Sequence, residues 1–94
     1  MSQSTQRLHA IVYGIVQGVN FRYYTTLRAQ ALDLTGWVRN RPDGTVEVSA
    51  EGSRAALEQL LAFLREGPGP AHVDRVDAEW VKSTGQFTRF QVLR

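Results

Sequence analysis

The pattern of the chain predicts an α+β sandwich, with two helices on one face of a mostly antiparallel sheet. Three observations predict it. Apolar alternation with a period of two marks several short strands. Two stretches, 21–34 and 54–66, carry apolar residues at helical spacing. Turns rich in glycine and proline separate these segments, giving the order strand, helix, strand, strand, helix, strand, and then a short final strand. Helices after the first and third strands can both cover one side of the sheet.

The first strand is expected over 7–13, with Leu8, Ala10 and Val12 on one face and His9, Ile11 and Tyr13 on the other. The first helix follows over 21–34. Asn20 is its candidate N-cap, and Phe21, Tyr24, Leu27 or Arg28, Ala31 and Leu34 form its apolar face. Thr35-Gly36 is expected to end it, with glycine supplying a positive φ. Strands over 37–41 and 45–51 pair as a hairpin through Arg41-Pro42-Asp43-Gly44. In the latter, Val46, Val48 and Ala50 should be buried, and Glu47, Ser49 and Glu51 wet. Ser53 can cap the second helix, whose stripe of Leu57, Leu60, Leu61 and Leu64 has core spacing. Gly67-Pro68-Gly69-Pro70 stops it. Strands over 73–82 and 87–93 complete the sheet, with Val76, Ala78 and Trp80 on one face of the former. This order is that of a ferredoxin-like split βαβ sandwich, a fold that hosts many unrelated functions.

Composition narrows the possibilities. A chain of 94 residues fits one domain with one core. Hydrophobic residues at 43% and charged residues at 21% indicate a folded domain. A net charge of +2 suits a small anionic ligand and argues little for nucleic acid. The absence of cysteine excludes disulfides, thiolate catalysis and cysteine–zinc sites, and a cytoplasmic, reducing compartment is expected. No apolar run reaches the roughly 18 residues of a membrane span, so no membrane association is expected. Residues 1–6 lack the apolar core of a signal peptide and are expected to form a flexible leader to a single domain over 7–94.

The most informative stretch is Gly14-Ile15-Val16-Gln17-Gly18-Val19-Asn20-Phe21-Arg22, where a strand empties through a glycine-bearing turn into a helix. A helix start leaves N–H groups without partners and carries the positive end of the dipole. A glycine loop can fold further N–H groups toward the same point, and Arg22 adds a planar fork of donors suited to phosphate. Such a turn can cradle a phosphoryl group, although many similar turns bind nothing. It is neither a Walker loop, because Val19 follows Gly18, nor a dinucleotide fingerprint, because the glycine spacing differs. Asn40 is the second candidate. It can simply bond the turn beside it, or it can lie near the loop and position a water, since a carboxamide both donates and accepts.

Taken together, Val16-Gln17-Gly18-Val19-Asn20-Phe21-Arg22, Gly36-Trp37-Val38-Arg39-Asn40 and Asp43-Gly44-Thr45-Val46-Glu47 resemble the acylphosphatase family. The resemblance runs from Leu8 to Leu93 and includes Gly52 before the second helix and the closing Phe90-x-Val92. It implies hydrolysis of the mixed anhydride of a carboxylic and a phosphoric acid. It also implies that Arg22 binds phosphate, that Asn40 orients the attacking water, and that Gln17, Gly18, Val19, Asn20 and Phe21 form the phosphate loop. No cofactor or metal is implied, and the partner is a small acyl phosphate. Ile15 departs from the basic residue many members carry there, which weakens substrate steering. Asn20 falls on a variable position and is given no catalytic role.

The chemistry agrees with these residues. A carboxylate is a good leaving group, so what remains is to hold the phosphoryl group, spread its charge and aim a water. The alternative is a non-catalytic module of the same fold that binds anions or acyl phosphates. An RNA-binding domain of this fold would carry aromatic residues on its third strand, and 45–51 has none. His9 and His72 are too isolated for a metal site. Asp74, Asp77 and Glu79 read as a solvated edge, and Trp37, Trp80, Phe87 and Phe90 as core. A monomer is expected.

Overall fold

A computed structural model describes residues 5–94. The elements run β1 (Gln6–Ile15), α1 (Phe21–Ala31), β2 (Thr35–Asn40), β3 (Val46–Gly52), α2 (Arg54–Glu66), β4 (His72–Lys82) and β5 (Phe90–Leu93). They form one five-stranded sheet in the order β4-β1-β3-β2-β5. The pairs β1–β3, β1–β4 and β2–β3 are antiparallel, and β5 joins the edge parallel to β2. The ferredoxin-like arrangement predicted from element order is the one observed. Of the leader expected over 1–6, residues 1–4 lie outside the described residues, and Gln6 already pairs with Gly52 and Lys82.

The core forms between the sheet and the two helices. Leu8, Ala10 and Val12 sit beside Ala50, Val48 and Val46, and Val38 sits beside Val48. Leu57, Leu60, Leu61 and Leu64 of α2 pack onto this face and are buried, as their spacing predicts. The Ser53 hydroxyl accepts from the Ala56 N–H at 3.2 Å and caps the helix. Val76, Ala78 and Trp80 line the same face on the β4 edge, where the Arg54 guanidinium lies 3.6 Å over the Trp80 ring.

The first helix differs from its expected form. Its buried residues are Phe21, Thr25 and Ala29, whereas Tyr24 and Leu27 face solvent. A spacing of four puts Phe21 and then the small Thr25 and Ala29 under the helix, which packs over β2 and β5. The helix also ends at Ala31 rather than Leu34, with Asp33 at φ 59° just beyond it; Gly36 does take the expected positive φ, at 136°. Gly36 is already inside β2. There a Cβ would overlap the Ser49 carbonyl, so glycine permits the close approach of two strands instead of ending a helix.

The outer face of the sheet is drier than alternation suggests. Ser49 is 0% exposed and Glu51 3%. Glu51 accepts from the Thr84 N–H at 2.7 Å, the Thr84 hydroxyl at 2.9 Å and the Gly85 N–H at 3.0 Å. The segment after β4 therefore folds back over this face, and the strand expected from Phe87 shortens to Phe90–Leu93. Burial alone would raise the Glu51 pKa, but these hydrogen bonds and Arg7 outweigh it and hold the carboxylate below its ordinary range. Glu47 shows the same balance. Burial opposes its charge, while His9 at 2.7 Å and Arg39 at 2.6 Å restore it and lower its pKa. Trp37 and Phe87 lie outside the buried core cluster; the Arg39 guanidinium is 5.5 Å from the Trp37 ring.

Candidate active site

The topology sends several chain ends to one edge of the sheet. β1 and β2 run parallel, because each is antiparallel to β3, and β5 is parallel to β2. Their carboxyl ends therefore meet at the edge where the 16–20 loop enters α1. A cavity of about 320 Å³ opens there, lined by Val16, Gly18, Asn20, Phe21, Arg22, Tyr23, Thr26, Asn40 and Val92. Arg22 and Asn40, distant in sequence, line the same cavity.

The loop reaches this geometry through two left-handed residues. Gly18 has φ 75°, and Asn20 has φ 62° and ψ 25°. Asn20 stands at the N-cap position, but its side chain makes no capping hydrogen bond; its backbone carbonyl accepts from the Tyr24 N–H at 3.1 Å. Asparagine suits the position because it tolerates left-handed backbone. Among the described residues, the backbone N–H groups from Gln17 to Tyr23 donate to no protein acceptor. Left-handed residues in such a loop can gather successive N–H groups into an anion-binding concavity, and a helix start leaves further N–H groups without partners.

The side chains of the loop divide the work. Arg22 pairs with no carboxylate among the described residues. Phe21 is buried and packs against Phe63, anchoring the helix start in the core. Val19 also packs against the core. Gln17 turns away from the cavity lining. Its Nε2 donates to the Arg41 and Thr45 carbonyls, both at 2.8 Å, and so ties the β2–β3 turn to the loop. That turn is closed by the Arg41 N–H to the Thr45 carbonyl at 2.9 Å. Asp43 accepts from the Thr45 hydroxyl at 2.6 Å and the Thr45 N–H at 3.0 Å, which lowers its pKa.

Asn40 is the last residue of β2 and sits opposite Val46, on the helix-covered face. Its Oδ1 is buried and has no hydrogen-bond partner. The reading in which Asn40 merely bonds the adjacent turn finds no such bond for this oxygen. A buried carbonyl oxygen without a donor is costly, so its place beside the cavity calls for an explanation.

Sequence reasoning missed Tyr23, Thr26 and Val92 as lining residues. Thr26 was within reach, since it lies one helical turn beyond Arg22 and its hydroxyl donates to the Arg22 carbonyl at 2.8 Å. Val92 had no local signal, because only the parallel pairing of β5 with β2 brings it to the rim. Among the described residues no group of three or more His, Cys, Asp or Glu side chains is arranged to hold a metal.

Fold and site together define an α+β sandwich with a loop-lined cavity at the edge where strands and a helix start converge. The acylphosphatase family model matches residues 8–92. An acylphosphatase from Mycolicibacterium vanbaalenii is 54% identical over 80 residues, covering 85% of this chain and 86% of the relative. A crystal structure of acylphosphatase from Bacillus subtilis superposes with a TM-score of 0.91 at 35% identity, covering 95% of this chain and 99% of that one. A structure of an acylphosphatase from Coxiella burnetii gives 0.91 at 38% identity, covering 99% and 100%. The chain belongs to the acylphosphatase family.

Proposed function

We propose that this chain hydrolyses acyl phosphates to a carboxylate and phosphate, without a metal or cofactor. The observation that carries the reading is that Gly18, Asn20, Phe21, Arg22 and Asn40, far apart in sequence, line one cavity. Among the described residues the loop N–H groups and the Asn40 Oδ1 have no protein partner, and Arg22 pairs with no carboxylate. The loop N–H groups and Arg22 hold the phosphoryl oxygens and spread their charge as it redistributes in the transition state. Asn40 accepts a hydrogen bond from the attacking water and aims its lone pair at phosphorus. The water oxygen bonds to phosphorus as the bond from phosphorus to the acyl oxygen breaks. The carboxylate leaves with the electron pair, and the water proton passes to a phosphoryl oxygen. Gln17, Gly18, Val19, Asn20 and Phe21 act as the phosphate loop, with Gln17 contributing by holding the hairpin that carries Asn40.

The same reading assigns a monomer acting in the cytoplasm. The cysteine-free composition supports a reducing compartment. No helix among the described residues is long and apolar enough to cross a membrane. Release of phosphate from benzoyl phosphate tests the activity. The unsubstituted protein should turn over many times, and Arg22→Ala should not. Hydrolysis no faster than in buffer would leave only an anion-binding module of this fold.

A further inference from the structure

The β2–β3 turn carries more hydrogen bonds than its own closure uses. The Arg41 N–H donates to the Thr45 carbonyl at 2.9 Å and the Gly44 N–H to the Arg41 carbonyl at 3.1 Å, and these two bonds close it. Asp43 adds two more. Its Oδ1 accepts from the Thr45 hydroxyl at 2.6 Å and the Thr45 N–H at 3.0 Å, while its other oxygen lies 3.9 Å from Arg41 Nη2. Asp43 is itself exposed and lies outside the cavity lining, whereas Thr45 is buried. Bonds to an ionised acceptor are the stronger kind, so Thr45 is held firmly from the solvent side. The Thr45 carbonyl in turn accepts from the Gln17 Nε2 at 2.8 Å, and the same Nε2 reaches the Arg41 carbonyl at 2.8 Å. Arg41 and Thr45 flank the last pair of the β2–β3 ladder, Asn40 with Val46.

We propose that Asp43 is a positioning residue of the hydrolysis: through Thr45 and Gln17 it fixes the hairpin against the phosphate loop and so keeps the Asn40 carboxamide on the attacking water. The inference rests on the acyl phosphate reading and adds to it a residue that never meets the substrate. Two links join the exposed carboxylate to the loop, Asp43 to Thr45 and Thr45 to Gln17. Removing the first leaves the turn closed by its backbone but frees the Thr45 carbonyl to drift from the Gln17 amide. Phosphate is held by the N–H groups from Gly18 onward and by Arg22, which no hydrogen bond from the turn reaches among the described residues. The group displaced is therefore Asn40. A small displacement of a group that aims a reactant costs rate more than binding.

The test measures kcat and KM for benzoyl phosphate, with inorganic phosphate as a competing ligand. Asp43→Ala should lower kcat about fivefold and leave KM and the inhibition constant of phosphate within about twofold. Asp43→Asn, which keeps an Oδ1 acceptor for Thr45, should restore most of the unsubstituted kcat. Thr45→Val, which removes the hydroxyl but keeps the shape and the N–H, should lose less than Asp43→Ala. Because Asp43 acts through Gln17, the double variant Gln17→Ala/Asp43→Ala should lose no more than either single one. A lower urea midpoint with kcat per folded molecule unchanged would make Asp43 a turn residue only and overturn the proposal. So would losses that multiply in the double variant, or a loss that falls on KM and phosphate binding. All three leave the hydrolase reading intact. Failure of the unsubstituted protein to hydrolyse benzoyl phosphate would overturn that reading itself, and the role of Asp43 with it.

Discussion

The outer face of the sheet and the edge that carries the cavity are both polar, yet they treat their polar groups in opposite ways. On the outer face almost every group has found a partner. Arg7 donates to Ser49 at 2.9 Å, Glu47 holds His9 and Arg39, and buried Glu51 accepts three hydrogen bonds from Thr84 and Gly85. At the cavity the N–H groups of the loop, Arg22 and the Asn40 oxygen are left over. Paired groups on a sheet hold a fold together. Unpaired groups gathered around one cavity contribute little to the fold and cost it stability where they are buried. Substitutions in the two regions should therefore move different observables.

The largest expected effect is on Arg22. Arg22→Ala should reduce kcat/KM by about a thousandfold, roughly 4 kcal/mol of transition-state stabilisation. Thermal unfolding should be nearly unaffected, because no ion pair is lost. Asn40→Ala should reduce kcat/KM about a hundredfold. Its Tm should stay level or rise, since an unpartnered buried oxygen disappears. A Tm that drops sharply in either variant would blur the contrast between the two regions.

Glu51→Ala should behave in the opposite way. It strands the N–H groups of Thr84 and Gly85 and should lower unfolding stability by about 2 kcal/mol, read from the urea midpoint. The kcat/KM per folded molecule should not change. Acid should reproduce part of this loss. The folded-state pKa values of Glu51 and Glu47 lie below the ordinary 4.5. Their stabilisation is complete above that value and disappears as pH falls through the lower folded-state values. Urea midpoints followed from neutrality to about pH 3 should decline, and less steeply in Glu51→Gln than in the unsubstituted protein. The smallest effect is expected at Gln17, which bridges the two kinds of region. Gln17→Ala should loosen the hairpin and lower kcat about fivefold with little change in Tm. An unchanged kcat would show that Asn40 is held without that tie.

The two helices show how legibility depends on redundancy in the pattern. In α2 four leucines repeat at core spacing, a serine caps the start, and a glycine–proline run stops the end, so every local cue agrees. In α1 the large residues Tyr23, Tyr24 and Leu27 are exposed, and the buried stripe is Phe21, Thr25 and Ala29. Size in sequence misleads there beyond Phe21, because the residues that follow it on the buried face are the small Thr25 and Ala29. Glu51 misleads for a related reason. Its alternation reads as wet until a distant loop folds over it. At the site, Arg22 and Asn40 stood out as single residues whose chemistry needed an explanation, whereas Tyr23 and Val92 look like ordinary residues of a helix and a strand.

Read along the chain, periodicity and turn residues were enough for the order of elements, the α+β class and the strand–loop–helix junction at Gly14 to Arg22, because each depends on neighbours within a few positions. The strand order, the placement of β5 beside β2, the burial of Glu51 and the meeting of Arg22, Asn40 and Val92 over one cavity depend on contacts between segments far apart in sequence. Such contacts leave no local signature, since a side chain's role there is set by what the folded chain brings against it.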